Sequence, residues 1–270
     1  MVAFAGNSLL CRAALRETDL DAASFTSLRL LSGALMLWLL VRSRQGTPVG
    51  QGNWGSALAL FVYAAALSFA YVGLSTAMGA LLLFGAVQAT MIGVGLSRGE
   101  RMTALQWVGF VVAFGGLIGL VLPGLAAPPL GSSLLMLSSG VAWGIYSLRA
   151  RGAGDPTRVT AGNFARSVPF TLLLSLIMIS GARPDAMGLV YAVASGAITS
   201  ALGYAIWYRV LPELRATTAA TVQLSVPVLA ALGGIVLLAE PVTLRLGLAA
   251  IAILGGILLV ILDKRRSVPA

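Results

Sequence analysis

The sequence predicts an all-α integral membrane protein with ten transmembrane helices, arranged as two five-helix repeats of inverted topology around a central cavity. Of the 270 residues, 58% are hydrophobic and 10% are charged, whereas an ordinary soluble domain is about 25% charged. Apolar runs of roughly 18 residues, long enough to cross a bilayer, recur along the chain. In addition, the second half of the chain repeats polar features of the first half.

Turn-forming stretches divide the chain into ten apolar segments. The stretches "RSRQGTPVGQGN", "PGLAAPP" and "ARGAGDPTR" are rich in glycine, proline and polar residues, which end helices. The weakest boundary is "YVGLSTAMG", between the third and fourth segments. The predicted spans are 2–15, 23–41, 54–73, 77–96, 104–122, 131–149, 161–180, 186–207, 217–238 and 243–262.

The first segment is short for a span. A helix from Met1 to Leu15 rises only about 22 Å at roughly 1.5 Å per residue, while the hydrocarbon core is about 30 Å thick. The segment also lacks the positively charged start of a signal peptide. We therefore expect the native N-terminus to extend upstream of Met1.

Positive charges assign a side to the predicted loops. With ten spans both termini lie on one side, and the loops of that side carry twelve arginines and lysines against four on the other. The excess of positive residues marks the cytoplasmic side, so we expect both termini of this multi-pass protein in the cytoplasm. The twelve residues are Arg42, Arg44, Arg98, Arg101, Arg149, Arg151, Arg158, Arg209, Arg215, Lys264, Arg265 and Arg266.

Two polar breaks, "SRGERMTALQWVG" and "LLAEPVTLRLGLA", repeat the same pattern at a spacing of 140 residues. In each break a threonine follows the glutamate by three residues, where it can act as the N-cap of the next helix. The pairs at this spacing are Glu100 and Glu240, Thr103 and Thr243, and Gly116 and Gly256.

Arg29 and Arg166 also match, at a spacing of 137 residues. The sequence therefore predicts two homologous halves, residues 1–125 and 126–270. Because each half has five spans, the second half runs through the membrane in the opposite sense. This inverted repeat is common among secondary transporters, which bind cargo between the halves and expose it to alternate sides.

The rare residue types exclude several function classes. The chain has no histidine, one cysteine, Cys11, and one lysine, Lys264. These counts exclude histidine general bases, Cys/His zinc sites, a disulfide within the chain and the lysine of a phosphate-binding loop. We predict no catalytic residue, no metal and no cofactor, hence no enzyme. Nucleic acid is not expected as a partner, because the positive charges lie in membrane-flanking loops.

Three stretches resemble the EamA branch of the drug/metabolite transporter superfamily. They are "GNSLLCRAAL", "LSSGVAWGIYSLRARG" and "ATVQLSVPVLAALGGIVLLAEPVTLRLGLAAIAILGGILL". Within that branch the chain is most similar to the YddG type of aromatic amino acid exporter. The resemblance implies export of aromatic and other neutral amino acids across the bacterial inner membrane. One departure is Val87-Gln88, where the second half has Pro227-Val228, so the halves are not equivalent.

Other functions stay open. The alternatives are a multidrug or quaternary-amine exporter, or an exporter of another metabolite, of the same superfamily; a membrane enzyme or receptor is more distant. The expected partners are a small-molecule substrate, such as an amino acid, and the lipid bilayer. We expect a monomer, with a dimer as the alternative.

The candidate substrate-binding residues are aromatic or uncharged polar residues inside the spans. A tyrosine facing lipid would leave its hydroxyl without a partner, so such residues face a cavity or another helix. Such an aromatic cavity suits a flat neutral substrate or, through cation–π contacts, a lipophilic cation. Ordinary helix packing and interhelical hydrogen bonds are the alternative roles. The candidates are Trp143, Tyr146, Tyr63, Tyr204, Gln88, Gln223, Asn7 and Tyr71.

Arg29 and Arg166 lie inside predicted spans, where an arginine costs about 2.5–3.5 kcal/mol on insertion scales. One role is binding a substrate carboxylate. The other is snorkelling to the interface or bonding to backbone carbonyls at a helix end. Because both lie away from the centre of their spans, we expect the second role.

Overall fold

The computed structural model describes residues 1–43, 51–99, 101–124, 127–150, 155–210 and 222–264. Within these ranges the chain is helical and contains no strand. A short 3-10 turn, Ile179–Gly181, follows the seventh helix. The helices are α1 Val2–Glu17, α2 Ala22–Ser43, α3 Trp54–Tyr71, α4 Thr76–Ser97, α5 Ala104–Val121, α6 Leu130–Arg149, α7 Pro156–Ile177, α8 Ala186–Val210, α9 Ser225–Leu238 and α10 Leu244–Lys264.

Six of the described helices, α2, α3, α4, α5, α8 and α10, are long and apolar enough to cross a membrane. The chain is thus a multi-pass membrane protein, and its ten-span topology stays a prediction. Helices α1 and α9 are only 16 and 14 residues long. Helices α6 and α7 are long enough, but serines in α6, and Asn163 and Arg166 together with serine and threonine in α7, lower their hydropathy.

The burial of the helices separates central from peripheral ones. In α4, 61% of the most apolar window is buried, against 28% in α5 and 33% in α10. The exposed residues of α5 and α10 are mostly leucine, valine, isoleucine and phenylalanine. A continuous exposed apolar surface of this kind suits contact with lipid, so α4 lies inside the bundle and α5 and α10 lie at its rim.

Helix contacts are paired across the chain. Helix α5 packs against α10, α4 against α9, and α2 against α7. The remaining major contacts come in couples: α3–α6 with α1–α8, α4–α6 with α1–α9, and α3–α7 with α2–α8. If each helix of α1–α5 is exchanged with the corresponding helix of α6–α10, the first three contacts stay the same. Each of the other contacts becomes the second member of its couple.

Close packing of α5 on α10 depends on glycine. A Cβ added to Gly116 would lie 3.0 Å from Ile253 Cγ1, and one added to Gly256 would lie 2.9 Å from Ala113 Cβ. Ile253 follows Ala113 by 140 residues, as Gly256 follows Gly116. The two contacts therefore join positions that the predicted repeat makes equivalent.

Both predicted threonine N-caps are confirmed. Thr103 Oγ1 accepts a hydrogen bond from Gln106 N at 3.2 Å, and the Gln106 side chain accepts one from Thr103 N at 3.0 Å. Thr243 Oγ1 accepts one from Leu246 N at 3.1 Å at the start of α10. Glu100, the first glutamate of the repeated pattern, lies outside the described residues.

One predicted boundary was wrong by five residues. Helix α7 begins at Pro156 rather than at residue 161, because Asp155 accepts hydrogen bonds from Thr157 N and Arg158 N as its N-cap. A proline at the first helical position costs no hydrogen bond, since its missing N–H has no partner there. The predicted start of the ninth segment, at residue 217, lies outside the described residues.

Candidate functional site

Five aromatic side chains from four helices meet around Trp143 of α6; we call them the aromatic cluster. The ring of Trp143 lies 4.7 Å from that of Tyr63, 5.0 Å from Tyr204, 5.5 Å from Tyr146 and 6.4 Å from Phe4, between centroids. The predicted shared face of Trp143 and Tyr146, three residues apart, is confirmed by their stacked rings. Four of the sequence candidates are thus brought together.

A second group, the polar cluster, adjoins these rings through the hydroxyl of Tyr63. Asn7 Nδ2 donates to Tyr63 Oη at 3.3 Å, and Ser195 Oγ donates to Asn7 Oδ1 at 2.7 Å. Arg29 Nη2 donates to the same Tyr63 oxygen at 3.0 Å, and Arg29 Nε donates to Ser200 Oγ at 3.3 Å. The cluster therefore joins α1, α2, α3 and α8.

The two clusters meet at mid-height of α3, and the aromatic cluster extends from there toward the end of α6 that carries Arg149. Tyr63, which belongs to both, is the tenth of the 18 residues of α3. At one end of α3, Arg149 donates to Ser56 Oγ at 3.1 Å. At the other end, Arg12 Nη1 donates to the carbonyl of Tyr71 at 2.7 Å. The clusters are thus bounded above and below by arginine contacts.

The expectation that Arg29 snorkels to an interface was wrong. Its side chain is 1% exposed, and its guanidinium carbon lies 5.1 Å from the centroid of the Tyr63 ring. The hydroxyls of Tyr63 and Ser200, on two neighbouring helices, hold the charge inward. Arg166 follows the expectation, because its Nη1 donates to the carbonyls of Gln51 and Gly162 at 3.1 Å.

A π-helical stretch in α8, Ala194–Leu202, positions the serines of the polar cluster. Residues five apart in an α-helix are rotated by about 140° from each other, and the wider π turn reduces this angle. Ser195 and Ser200, five apart, can thus both face the cluster. Stretches of π-helix are rare in proteins, and those that occur are often found at functional sites.

Gly196 lies inside this stretch and allows α8 to approach α2. A Cβ at this position would collide with the carbonyl oxygen of Arg29 and with Ser32 Oγ. Sequence reasoning missed Ser195, Ser200 and Phe4 as members of the site. The small-residue run "ASGAITSA" was the available signal, because small residues let two helices come close.

The other candidates lie apart from Trp143. Gln88 lines a small pocket with Phe110 and Leu117, between α4, α5 and α10. The face of α4 that meets α6 instead carries the side chains of Ala86 and Thr90. Gln223 is partly buried, two residues before α9.

Tyr71, the remaining candidate, belongs to an ion-pair site at the end of α3. Glu240 is 6% exposed, and its two oxygens accept hydrogen bonds from Thr76 N, the first residue of α4, at 3.0 and 2.8 Å. Arg12 Nε lies 3.3 Å from Glu240 Oε1. A carboxylate at a helix N-terminus is favourable because of the helix dipole. Glu240 thus fastens the α9–α10 corner to α1 and α4.

Comparisons with known proteins agree with this architecture. The model of the EamA-like transporter family matches residues 130–262, which contain α6 to α10 except for the last residues of α10. An uncharacterized protein of Pseudomonas aeruginosa is 59% identical over 247 residues, 91% of this chain and 86% of that protein. An uncharacterized transporter of Archaeoglobus fulgidus is 29% identical over 189 residues, 68% of this chain and 67% of that one.

A solved crystal structure shares the fold. It superposes with a TM-score of 0.69 at 18% sequence identity, over 98% of this chain and 99% of the other. At this identity the likeness concerns the fold alone.

Proposed function

We propose that this chain, whose residues 130–262 match the EamA-like transporter family of the drug/metabolite transporter superfamily, is a secondary exporter whose cargo is aromatic and other neutral amino acids. The family points to a membrane transporter rather than an enzyme. The proposal adds the cargo, the direction of transport and the mechanism.

The observation that carries the proposal is the meeting of the aromatic and polar clusters at Tyr63, in the middle of α3. Tyr63 and Tyr204 are buried, and each contacts the buried ring of Trp143 in a tilted arrangement. A flat side chain of the cargo can insert among them by the same ring contacts. Asn7 and the Tyr63 hydroxyl supply hydrogen-bonding groups beside the rings. Rings next to neutral polar groups suit an aromatic amino acid.

Alternating access is supported by the repeated contacts of the two halves, residues 1–125 and 126–270. Gly116 against Ile253 and Gly256 against Ala113 are equivalent contacts related by the 140-residue spacing. Such equivalence is expected of inverted repeats that rock against each other about a central site. The helices of the clusters come from both halves, so relative movement of the halves would open the site.

The arginine contacts at the two ends of α3 are suited to act as gates. The Arg12–Glu240 pair closes one end, and the hydrogen bonds of Arg149 with Ser56 and Asn53 close the other. Breaking one set while keeping the other would connect the clusters to a single side. We propose that both termini lie on the cytoplasmic side of a bacterial inner membrane. The end of α3 that contacts Arg12 then faces outward.

A flux assay with purified protein in liposomes tests the cargo. Vesicles are loaded with unlabelled compound, and uptake of the labelled compound is followed by counterflow. We expect phenylalanine to enter faster than threonine, and tetraethylammonium to enter no faster than in protein-free liposomes. Uptake of tetraethylammonium without uptake of either amino acid would instead favour the quaternary-amine exporter.

A further inference from the structure

Arg29 carries a donor that its surroundings do not use. Its Nη1 is buried, and none of the residues that the structure describes accepts a hydrogen bond from it. The neighbouring donors Nη2 and Nε are bound by Tyr63 and Ser200. Buried polar atoms in native proteins nearly always have a partner, so an unused guanidinium donor inside the bundle points to a ligand.

The charge of Arg29 also lacks a counter-ion. In the described part of the chain the ion pairs are Arg12–Glu240 and Arg158–Asp155, and neither includes Arg29. The hydroxyls of Tyr63 and Ser200 accept hydrogen bonds from it but carry no negative charge. Buried charges in membrane proteins pair with an opposite charge or mark a substrate pathway. An anionic group of the cargo would supply the missing charge.

We propose that Arg29 binds the carboxylate of the cargo, so that the site accepts aromatic carboxylates and amino acids and rejects amines that lack a carboxylate. This inference rests on the proposed function and specifies the chemistry that the site recognises. Guanidinium binds carboxylate through directed, charge-assisted hydrogen bonds, and Nη1 is the donor available for one of them.

The position of Arg29 relative to the rings fits such a cargo. Its guanidinium lies 5.1 Å from the Tyr63 ring, which in turn lies 4.7 Å from the ring of Trp143. A carboxylate bound at Nη1 would thus lie near Tyr63, which is itself part of the aromatic cluster. A cargo such as phenylalanine, with a short linker between its carboxylate and its ring, would reach from Nη1 to the aromatic cluster.

The same charge opposes cationic cargo. A quaternary amine could contact the faces of Trp143 and Tyr204, but it would lie near a guanidinium that has no counter-ion. Two like charges at low dielectric repel strongly. Arg29 therefore turns an aromatic cluster that could hold a cation into a site for anionic groups.

The test is ligand-dependent thermal stability of the purified protein, which requires no transport. Four probes share a phenyl ring: phenylalanine, its amide, 3-phenylpropionate and phenethylamine. A ligand that binds the folded state raises its unfolding temperature. We expect the two carboxylates to stabilise the wild type, and the amide and phenethylamine to bind at least about tenfold more weakly, because a charged hydrogen bond is lost.

Variants assign the effect to one side chain. Arg29→Gln should weaken binding of both carboxylates by about tenfold or more, and Arg29→Lys should weaken it less because the charge remains. Arg166→Gln is the matched control: it removes the repeat-related arginine, which contacts backbone carbonyls away from the clusters, and should leave binding unchanged. If Arg29→Gln does not fold, the comparison of the four probes on the wild type still decides.

The outcomes separate the two proposals. If the amide and phenethylamine bind the wild type as tightly as the carboxylates, Arg29 is not a carboxylate site, whatever the flux assay shows. If 3-phenylpropionate binds through Arg29 while no amino acid binds or is transported, the carboxylate site stands and the amino acid cargo is wrong. If none of the four probes binds, the carboxylate site is refuted for aromatic cargo.

Discussion

Trp143 is the residue that most directly links the packing of the site to the proposed transport. Its ring contacts those of Phe4, Tyr63 and Tyr204 on three other helices and that of Tyr146 on its own helix. Replacing it by alanine removes the largest surface available to a flat cargo. The side chains around it would then lose a common partner but keep their hydrogen bonds.

We predict that Trp143→Ala slows phenylalanine counterflow at least about tenfold, the loss expected when a buried aromatic contact is removed, without loss of membrane insertion. The measurement is initial counterflow rate per inserted protein. Trp54→Ala is the control, because Trp54 is 58% exposed at the start of α3 and should keep the wild-type rate. Wild-type flux in Trp143→Ala would remove α6 from the site.

Residue-scale prediction from the sequence succeeded where helical periodicity was sufficient. Spacing alone placed Trp143 and Tyr146 on one face. The direction of the Arg29 side chain could not be predicted, because the sequence shows the depth of Arg29 in α2 but not its partners. Tyr63 and Ser200 follow it by 34 and 171 residues, and nothing in the local sequence of α2 indicates that they meet it.

The π-helical part of α8 is the element that aligns the polar cluster. It was not predictable from the sequence, because the segment reads as an ordinary apolar span with small residues. Gly196, inside this part of α8, permits the close approach of α2. The capped helix starts were predictable, since Thr103 and Thr243 act on backbone groups only three residues away.

We predict that Gly196→Ala lowers the stability of the protein by about 1–3 kcal/mol, the usual cost of overpacking. The added methyl group would meet the Arg29 carbonyl and force α2 and α8 apart. Thermal unfolding in detergent measures the change. Gly119→Ala is the control, because no atom lies within 4 Å of a Cβ there; equal unfolding temperatures for the two variants would contradict the close approach.

At the scale of the whole molecule, α5 of residues 1–125 packs against α10 of residues 126–270. The 140-residue spacing in the sequence predicted which residues would be equivalent. It could not predict that Gly116 and Ile253 touch, because this contact depends on how the halves dock. The cargo could likewise not be predicted from the repeated pattern. That pattern predicts a transport mechanism but carries no information on substrate chemistry.

We predict that Gly256→Val destabilises the docked halves by about 1–3 kcal/mol, while Gly255→Val has a much smaller effect. A Cβ on Gly256 would lie 2.6 Å from Ala113 N, whereas a Cβ on Gly255 meets nothing within 4 Å. The two neighbouring substitutions add the same side chain to the same helix. Their unfolding temperatures in detergent measure the difference, and a smaller loss for Gly256→Val would argue against this interface.

Accessibility of the central site from each side of the membrane tests the account most directly. Ser195→Cys in a Cys11→Ser background places the only cysteine beside Asn7, and Cys11→Ser alone is the unlabelled control. A membrane-impermeant anionic thiol reagent is applied to right-side-out and to inside-out vesicles. Alternating access predicts labelling in both preparations, slowed in both by phenylalanine. Labelling from one side only, at a rate that phenylalanine does not change, would contradict a central site that opens to both sides.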